Sequence, residues 1–282
     1  MKSLTVFSHA RPEQTDEPLR RVIELAGGAG VEVRLPPEEV EKHGVEPQEG
    51  VVLDADPDGE TDLALVLGGD GTILSTLRRY AGREVPVFAV NFGTIGFLAT
   101  IEPADLDDGL RMALGREYDV MGIPGLVAAT AEGDHMAMND VSFHRRQTGR
   151  VAELAYSVEG EQLGEVRCDG LVVATPAGST GYNLANGGPV LAWGVEGYVV
   201  SFIAPHTLTA RALVVAPDDE LAVTNRSREE DVEMTTDGRA VCALPREETI
   251  TIRFVPRRAL LAQLPGASFY HRLRDKFGRL AY

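Results

Sequence analysis

The chain has 282 residues, 44% hydrophobic and 25% charged, enough for one large or two ordinary domains around a buried core. No apolar run reaches the roughly 18 residues of a membrane span, and a formal net charge of −16 repels polyanions, so neither membrane nor nucleic-acid binding is expected. Cys168 and Cys242 lack CxxC spacing, which excludes a structural zinc site; a disulfide is not expected, and both read as small core residues.

The opening segment, Met1–Ala10, is too short in its apolar part for a signal peptide and reads as a first buried strand, as in a cytoplasmic protein. Basic residues are almost all arginine, with lysine only at Lys2, Lys42 and Lys276. Such a surface suits a halophilic protein, because concentrated salt screens the self-repulsion. An ordinary acidic cytosolic protein is the alternative.

The first hundred residues alternate strand-like and helix-like runs. Leu4–Phe7 predicts a strand and Glu17–Leu25 a helix, stopped at Gly27-Gly-Ala-Gly30. Val31–Leu35 is strand-like, and Asp62–Leu67 is a continuous apolar strand of the kind covered on both faces. A helix over Thr72–Tyr80 and a strand over Val85–Val90 follow. This rhythm predicts an α/β domain over residues 1–100 with an open parallel sheet that binds ligands at the carboxyl ends of its strands. Beyond about residue 115, short Val/Ala/Thr-rich runs are separated by turn signals, and Val151–Val158 and Thr249–Val255 alternate. They predict a β-rich, antiparallel, sandwich-like domain over residues 101–265. Ser268–Gly278 has helical character, and the segment 266–282 is expected to pack back on the first domain.

Leu67-Gly-Gly-Asp-Gly-Thr72 joins a strand to a helix. Gly68, Gly69 and Gly71 bring bare amides close to a ligand, and the helix N-terminus favours phosphate. Thr72 can cap the helix. Asp70 is a carboxylate at a phosphate site, where electrostatics alone would disfavour it; binding Mg²⁺ or taking a proton from an attacking hydroxyl would account for it. Simple capping by Asp70 is the competing reading. The turn is neither a Walker A loop nor a GxGxxG.

Asn91-Phe-Gly-Thr-Ile-Gly-Phe-Leu98 repeats the glycine logic on the next loop, and two such turns side by side suggest a nucleotide cleft. Asn139 and Asp140 head an alternating strand; the amide suits an adenine edge and the carboxylate suits ribose hydroxyls, although Asn-Asp is also a common turn dipeptide. Asp169-Gly-Leu-Val-Val-Ala-Thr-Pro-Ala-Gly-Ser-Thr-Gly-Tyr-Asn183 joins a strand, Leu171–Ala174, to a hydroxyl-rich loop, with Tyr182 offering a flat face. Arg167 is expected on the same strand face as Asp169, where it could meet a phosphate. His206, Arg211 and Asp237-Gly-Arg239 complete the set.

These segments, in this order from about residue 65 to 240, resemble the NAD kinase family: GGDGT, NxGxxGFL, ND, DGLxxxTPxGSTxYN, PHxLxxR and DG. The C-terminal Phe269–Phe277 is also similar to the family's. The resemblance implies transfer of a phosphoryl group from ATP or another donor to the 2′-hydroxyl of the adenosine ribose of NAD, with NAD held between an α/β and a β-rich domain. It implies that Asp70 is the proton acceptor beside Gly71, that Asn139 and Asp140 bind adenosine, and that Arg150, Arg167, Asp169, Thr180, Gly181, Tyr182, Asn183, Leu184 and Ala185 are further nucleotide contacts. It also implies Mg²⁺ carried with the donor, and a homodimer or homotetramer. Gly181 stands where the motif commonly has alanine, and Arg239 where glutamine is common. Lipid kinases sharing a GGDGT turn, and a non-catalytic NAD(H)-sensing module, are the alternatives.

Overall fold

The apolar runs of the first hundred residues become parallel strands. The computed structural model describes residues 1–94, 96–147, 150–228 and 230–278. The first elements are β1 (Ser3–Ser8), α1 (Asp16–Gly28), β2 (Glu32–Arg34), α2 (Pro37–His43), β3 (Val51–Val52), β4 (Leu63–Gly68), α3 (Asp70–Arg79), β5 (Pro86–Asn91) and α4 (Leu106–Gly115). Then come β6 (Asp119–Thr130), β7 (Gly133–Ala137), β8 (Asp140–Arg145), β9 (Ala152–Val158), β10 (Glu161–Cys168), β11 (Gly170–Ala174) and α5 (Tyr182–Ala185). The chain closes with β12 (Tyr198–Ile203), β13 (Leu213–Val215), β14 (Leu221–Asn225), β15 (Val232–Thr236), β16 (Arg239–Leu244), β17 (Thr249–Gln263) and α6 (Phe269–Phe277).

The chain forms two compact units, residues 1–122 with 259–282, and residues 123–258. In the first, the sheet order is β17-β5-β4-β1-β2-β3, all pairs parallel, with the end of β17 aligned by Leu260 on Pro86. β4 is buried along its whole length. Leu63, Leu65 and Leu67 share a core with Leu19, Val22 and Ala26 of α1 and Leu110 and Ala113 of α4. Ala64 and Val66 are equally buried on the opposite face, which is why the strand reads as an unbroken apolar run.

Three local details differ from the sequence reading. Helix α1 continues through Gly27 and Gly28, and the left-handed residue that ends it is Gly30 (φ +68°). Helix α2, unforeseen, starts at Pro37 and stops at Gly44 (φ +57°), the usual placing of these two residue types. The domain boundary expected near residue 100 falls inside the first unit, which runs to Gly122, because α4 packs on α1 and Asp107 accepts from Arg21 Nε at 2.8 Å. Of the segment 266–282, residues 279–282 lie outside the described residues.

The second unit is antiparallel. One sheet runs β10-β9-β14-β17, the other β13-β12-β11-β8-β15-β16, and β6 forms a hairpin with β7. Leu154, Val223 and Ile252 of the first sheet join Val141, Phe143, Val173, Val200 and Met234 of the second in one core. Cys168 is buried and Cys242 half-buried; both are free thiols. Among the described residues no helix is long and apolar enough to cross a membrane.

Candidate active site

In the first unit the two glycine turns stand at the carboxyl ends of the neighbouring strands β4 and β5, where Gly68 aligns with Asn91. They touch backbone to backbone. A Cβ on Gly93 would lie 2.6 Å from Gly69 Cα, and one on Gly69 would lie 3.0 Å from Gly93 Cα. Side chains would force the turns apart, so glycine is required at both. Gly96 has φ +64° and its added Cβ would meet the Asn91 side chain. Asn91 Oδ1 accepts from Gly93 N–H at 3.0 Å, and its Nδ2 donates to Glu102 at 2.9 Å. Ile95, inside this motif, lies outside the described residues.

Asp70 begins α3 but does not cap it. Its Oδ2 accepts from Phe97 N–H at 3.0 Å and its Oδ1 from Leu98 N–H at 2.9 Å, so the second turn clamps the carboxylate of the first. Thr72, expected as a cap, lies inside the first turn of α3; the N-cap is Gly69, with no side-chain bond. Thr72 instead packs against Gly68, where an added Cβ would come within 2.7 Å of its Oγ1. Gly71 is exposed, with open space where a Cβ would stand. Together these leave a fixed carboxylate beside bare backbone at a helix N-terminus, an arrangement able to receive phosphate and a proton.

In the second unit Asp140 begins β8 and Asn139 immediately precedes it, both held by a second carboxylate. Asp237 accepts from Asn139 N–H at 2.7 Å, Asp140 N–H at 3.2 Å and Met138 N–H at 3.0 Å. Thr175 Oγ1 donates to Met138 C=O at 2.8 Å and accepts from Gly178 N–H at 3.0 Å, which ties the hydroxyl-rich loop to the same pair. Gly178 is indispensable, since a Cβ there would lie 2.0 Å from Asn139 C=O. Asn139 Oδ1 is a buried acceptor without a partner among the described residues. Asp140 is 7% exposed, and burial, helped by the Asp237 charge, pushes its carboxyl up to about 7.

The loop residues divide by exposure. Gly181, Tyr182 and Ala185 are exposed, and Leu184 is half-buried. Tyr182 stacks on His144 with centroids 5.7 Å apart, and burial lowers the His144 pKa, which favours a neutral ring. Thr180 Oγ1 donates to Ala177 C=O at 3.0 Å. Asn183 is fully buried, and its amide donates to Ser179 and Pro189 carbonyls at 2.9 Å each, so it braces the loop from within.

Arg167 and Asp169 do not share a strand face. Arg167 lies near the end of β10, whereas Asp169 sits in the bend before β11 and takes both Nε and Nη2 of Arg145 at 3.0 Å. Arg150 pairs with Glu230 at 3.0 Å. Arg150, Arg167 and Arg228 meet around a hollow of about 580 Å³ that Glu153 and Glu230 also line. Arg211 folds onto its own loop, donating to Leu208 and Ala210 carbonyls.

The sequence matches the family profile described as ATP-NAD kinase N-terminal domain over residues 32–118, and that described as ATP-NAD kinase C-terminal domain over residues 138–264. It is 36% identical over 230 residues to the NAD kinase of Gemmatimonas aurantiaca, covering 78% of each chain. It is 35% identical over 235 residues to that of Carboxydothermus hydrogenoformans, covering 80% of this chain and 84% of the other. The chain belongs to the NAD kinase family. Among solved structures, an NAD kinase from Archaeoglobus fulgidus in complex with ATP matches with a TM-score of 0.72 and 26% identity, over 99% of this chain and 98% of the other. Yeast NADH kinase complexed with NADH shares the fold, with a TM-score of 0.86 and 21% identity, over 100% and 90%.

Two features of this family member were not singled out in the sequence: the clamp by Asp237, visible there only as an Asp-Gly turn, and Arg272 of α6, which donates to Phe97 C=O at 2.8 Å. The second lies within the family-like segment Phe269–Phe277, where nothing local marks its partner Phe97.

Proposed function

We propose that this chain is an NAD kinase that transfers a phosphoryl group from ATP to the 2′-hydroxyl of the adenosine ribose of NAD, with Asp70 as the general base. The observation that carries the assignment of Asp70 is its clamped carboxylate at the head of α3, between two glycine turns. The 2′-oxygen attacks the terminal phosphorus, its proton passes to Asp70, and the bond from phosphorus to the departing nucleotide's oxygen breaks. General base catalysis contributes roughly 10²–10⁴-fold, and positioning by backbone amides supplies much of the rest.

Asn139 and Asp140 hold the adenosine. The partnerless buried Asn139 Oδ1 supports this, since it can accept from the adenine amino group. Arg150, Arg167, Asp169, Thr180, Gly181, Tyr182, Leu184 and Ala185 are nucleotide contacts on this reading, with Asn183 bracing the loop that carries several of them. Among the described residues no cluster of three His, Cys, Asp or Glu forms a metal cage. On this reading Mg²⁺ is carried with the phosphoryl donor, whose charge it would neutralise. The working form is a cytoplasmic homodimer or homotetramer. The retained Asp70 favours catalysis over NAD(H) sensing, which needs no base.

The test is an assay of purified protein with NAD or NADH against ATP, other nucleoside triphosphates and inorganic polyphosphate, each with Mg²⁺. Formation of NADP from NAD and ATP is the expected result. Binding of NAD without turnover by any donor would leave the sensing role in its place.

A further inference from the structure

The hydrogen bonds around Asp70 do not end at the glycine turns. The Phe97 carbonyl and the Leu98 N–H belong to one peptide unit. Its N–H end donates to Asp70 Oδ1 at 2.9 Å, and its C=O end accepts from Arg272 Nη1 at 2.8 Å. A carboxylate and a guanidinium thus sit at opposite ends of one peptide dipole, each at the end its charge favours. Hydrogen bonds chained this way polarise one another, so the cation strengthens the amide's grip on Asp70.

Arg272 reaches further along the same loop. Nη1 also donates to Ala99 C=O, and Nη2 donates to Gln263 Oε1 at 2.8 Å. The peptide unit of Ala99 continues through Thr100 N–H to Ala89 C=O in β5, at 2.7 Å. One rigid guanidinium fork therefore fixes the loop at Phe97 and Ala99 and ties it to the end of β17. Burial lowers the Arg272 pKa, while Asp70 and Glu102 oppose that effect, and arginine stays charged wherever the protein is folded.

The rest of α6 grips the same loop. The Phe97 ring packs edge-on against Phe269 at 5.7 Å and tilted against Phe277 at 5.8 Å. Lys276, one turn beyond Arg272, donates to Glu102 Oε1 at 2.6 Å, and Glu102 in turn accepts from Asn91, the residue that shapes the Gly93 turn. The helix holds the second glycine turn at both ends.

We propose that Arg272 is a positioning residue for Asp70: from α6 it holds the Phe97–Ala99 backbone so that two amides fix both carboxylate oxygens in the orientation proton transfer requires. This rests on Asp70 being the base. Arg272 acts through the loop. Freed from the amides, the Asp70 carboxylate would turn about its side-chain torsions, and misplacement of a reacting group by about 1 Å costs on the order of 10²-fold in rate.

The experiment is a double-mutant cycle on the full chain with Asp70→Asn, Arg272→Met and the double variant, reading kcat, both KM values and thermal unfolding. Arg272→Met is expected to lower kcat by about 10-fold or more, with KM for NAD and for ATP within about 2-fold. In the Asp70→Asn background it should cost less than about 2-fold further, because no base is left to position. Arg272→Lys, which keeps a cation for one carbonyl, should fall between wild type and Arg272→Met, and it carries the cycle if Arg272→Met does not fold. Losses that multiply in the double variant would make Arg272 an independent structural residue and overturn the proposal while Asp70 stands. A fall in kcat for Asp70→Asn with none for Arg272→Met would do the same. Near-normal turnover by Asp70→Asn would overturn the reading of the base itself.

Discussion

Asp237 acts on Asp140 twice. Its carboxylate accepts the Asp140 N–H at 3.2 Å, fixing the backbone, and its charge adds to burial in pushing the Asp140 carboxyl up to about 7 from an ordinary 3.8. A buried carboxyl ionises less readily beside a second carboxylate.

This arrangement makes stability depend on pH. Because the folded-state pKa of Asp140 is raised, its contribution is fully present below about pH 4 and is lost as pH rises through about 7. The rise from 3.8 to about 7 corresponds to on the order of 4 kcal/mol at most. Asp140→Asn cannot ionise. Relative to wild type, this variant should therefore gain stability between pH 5 and pH 8, by several degrees in melting temperature. Other titrating groups cancel in the difference between the two proteins. A difference that stays constant from pH 5 to pH 8 would show that Asp140 does not titrate in this range.

Removing the Asp237 charge separates its two roles. Asp237→Asn keeps an oxygen that can accept amides, but neutralises the site beside Asp140. The Asp140 midpoint should fall while staying above 3.8, because burial is the larger cause. Carboxyl-carbon NMR titration reads this directly. Asp237→Ala also frees the three amides at Met138, Asn139 and Asp140. It should raise KM for NAD by about 10-fold, as loss of a charge-assisted hydrogen bond of roughly 1.5 kcal/mol would. An unchanged KM for NAD in Asp237→Ala would separate the clamp from nucleotide binding.

The glycine turns allow a sharper contrast. Gly93→Ala forces a Cβ to 2.6 Å from Gly69 Cα, with only backbone there to yield. It should destabilise the fold by roughly 1–3 kcal/mol and depress kcat, because the turn that clamps Asp70 must shift. Gly71→Ala meets nothing within 4 Å and needs no left-handed backbone. Its melting temperature should match wild type, while KM for ATP rises if phosphate approaches the bare backbone there. A Gly71→Ala enzyme with normal KM for both substrates would place the phosphates elsewhere.

The turns were legible in the sequence because their requirements are local. The burial of β4 on both faces dictates an unbroken apolar run, and the backbone contact of Gly69 with Gly93 dictates glycine in both turns. What stabilises them is not local. Arg272 and Phe97 are 175 residues apart, and Asp237 and Met138 are 99 apart; neither spacing carries a pattern. Helix α4 escaped for another reason. Gly109 weakens its helical propensity, yet a Cβ there would come within 2.5 Å of Ile101 Cδ1. Strand alternation alone would put Arg167 and Asp169 on one face, but β10 ends at Cys168, so the alternation does not reach Asp169.

The formal charge is −16, and lysine occurs only at Lys2, Lys42 and Lys276. Many arginines are paired across the surface, as in Arg79 with Asp58 at 2.9 Å and Arg116 with Asp62 at 2.9 Å. Salt weakens such exposed pairs, which contribute roughly 0–1 kcal/mol each. It also weakens the repulsion among the excess carboxylates, whose Debye length shrinks from about 30 Å at 0.01 M to about 3 Å at 1 M. The folded chain holds like charges closer together than the unfolded chain does, so with this much excess negative charge the repulsion dominates. The melting temperature should therefore be higher in about 2 M KCl than in about 0.05 M KCl. Salting-out strengthens apolar burial as well, so the comparison needs a neutral osmolyte as control. A melting temperature equal or higher in the dilute buffer would refute adaptation to concentrated salt, and would leave the family assignment untouched.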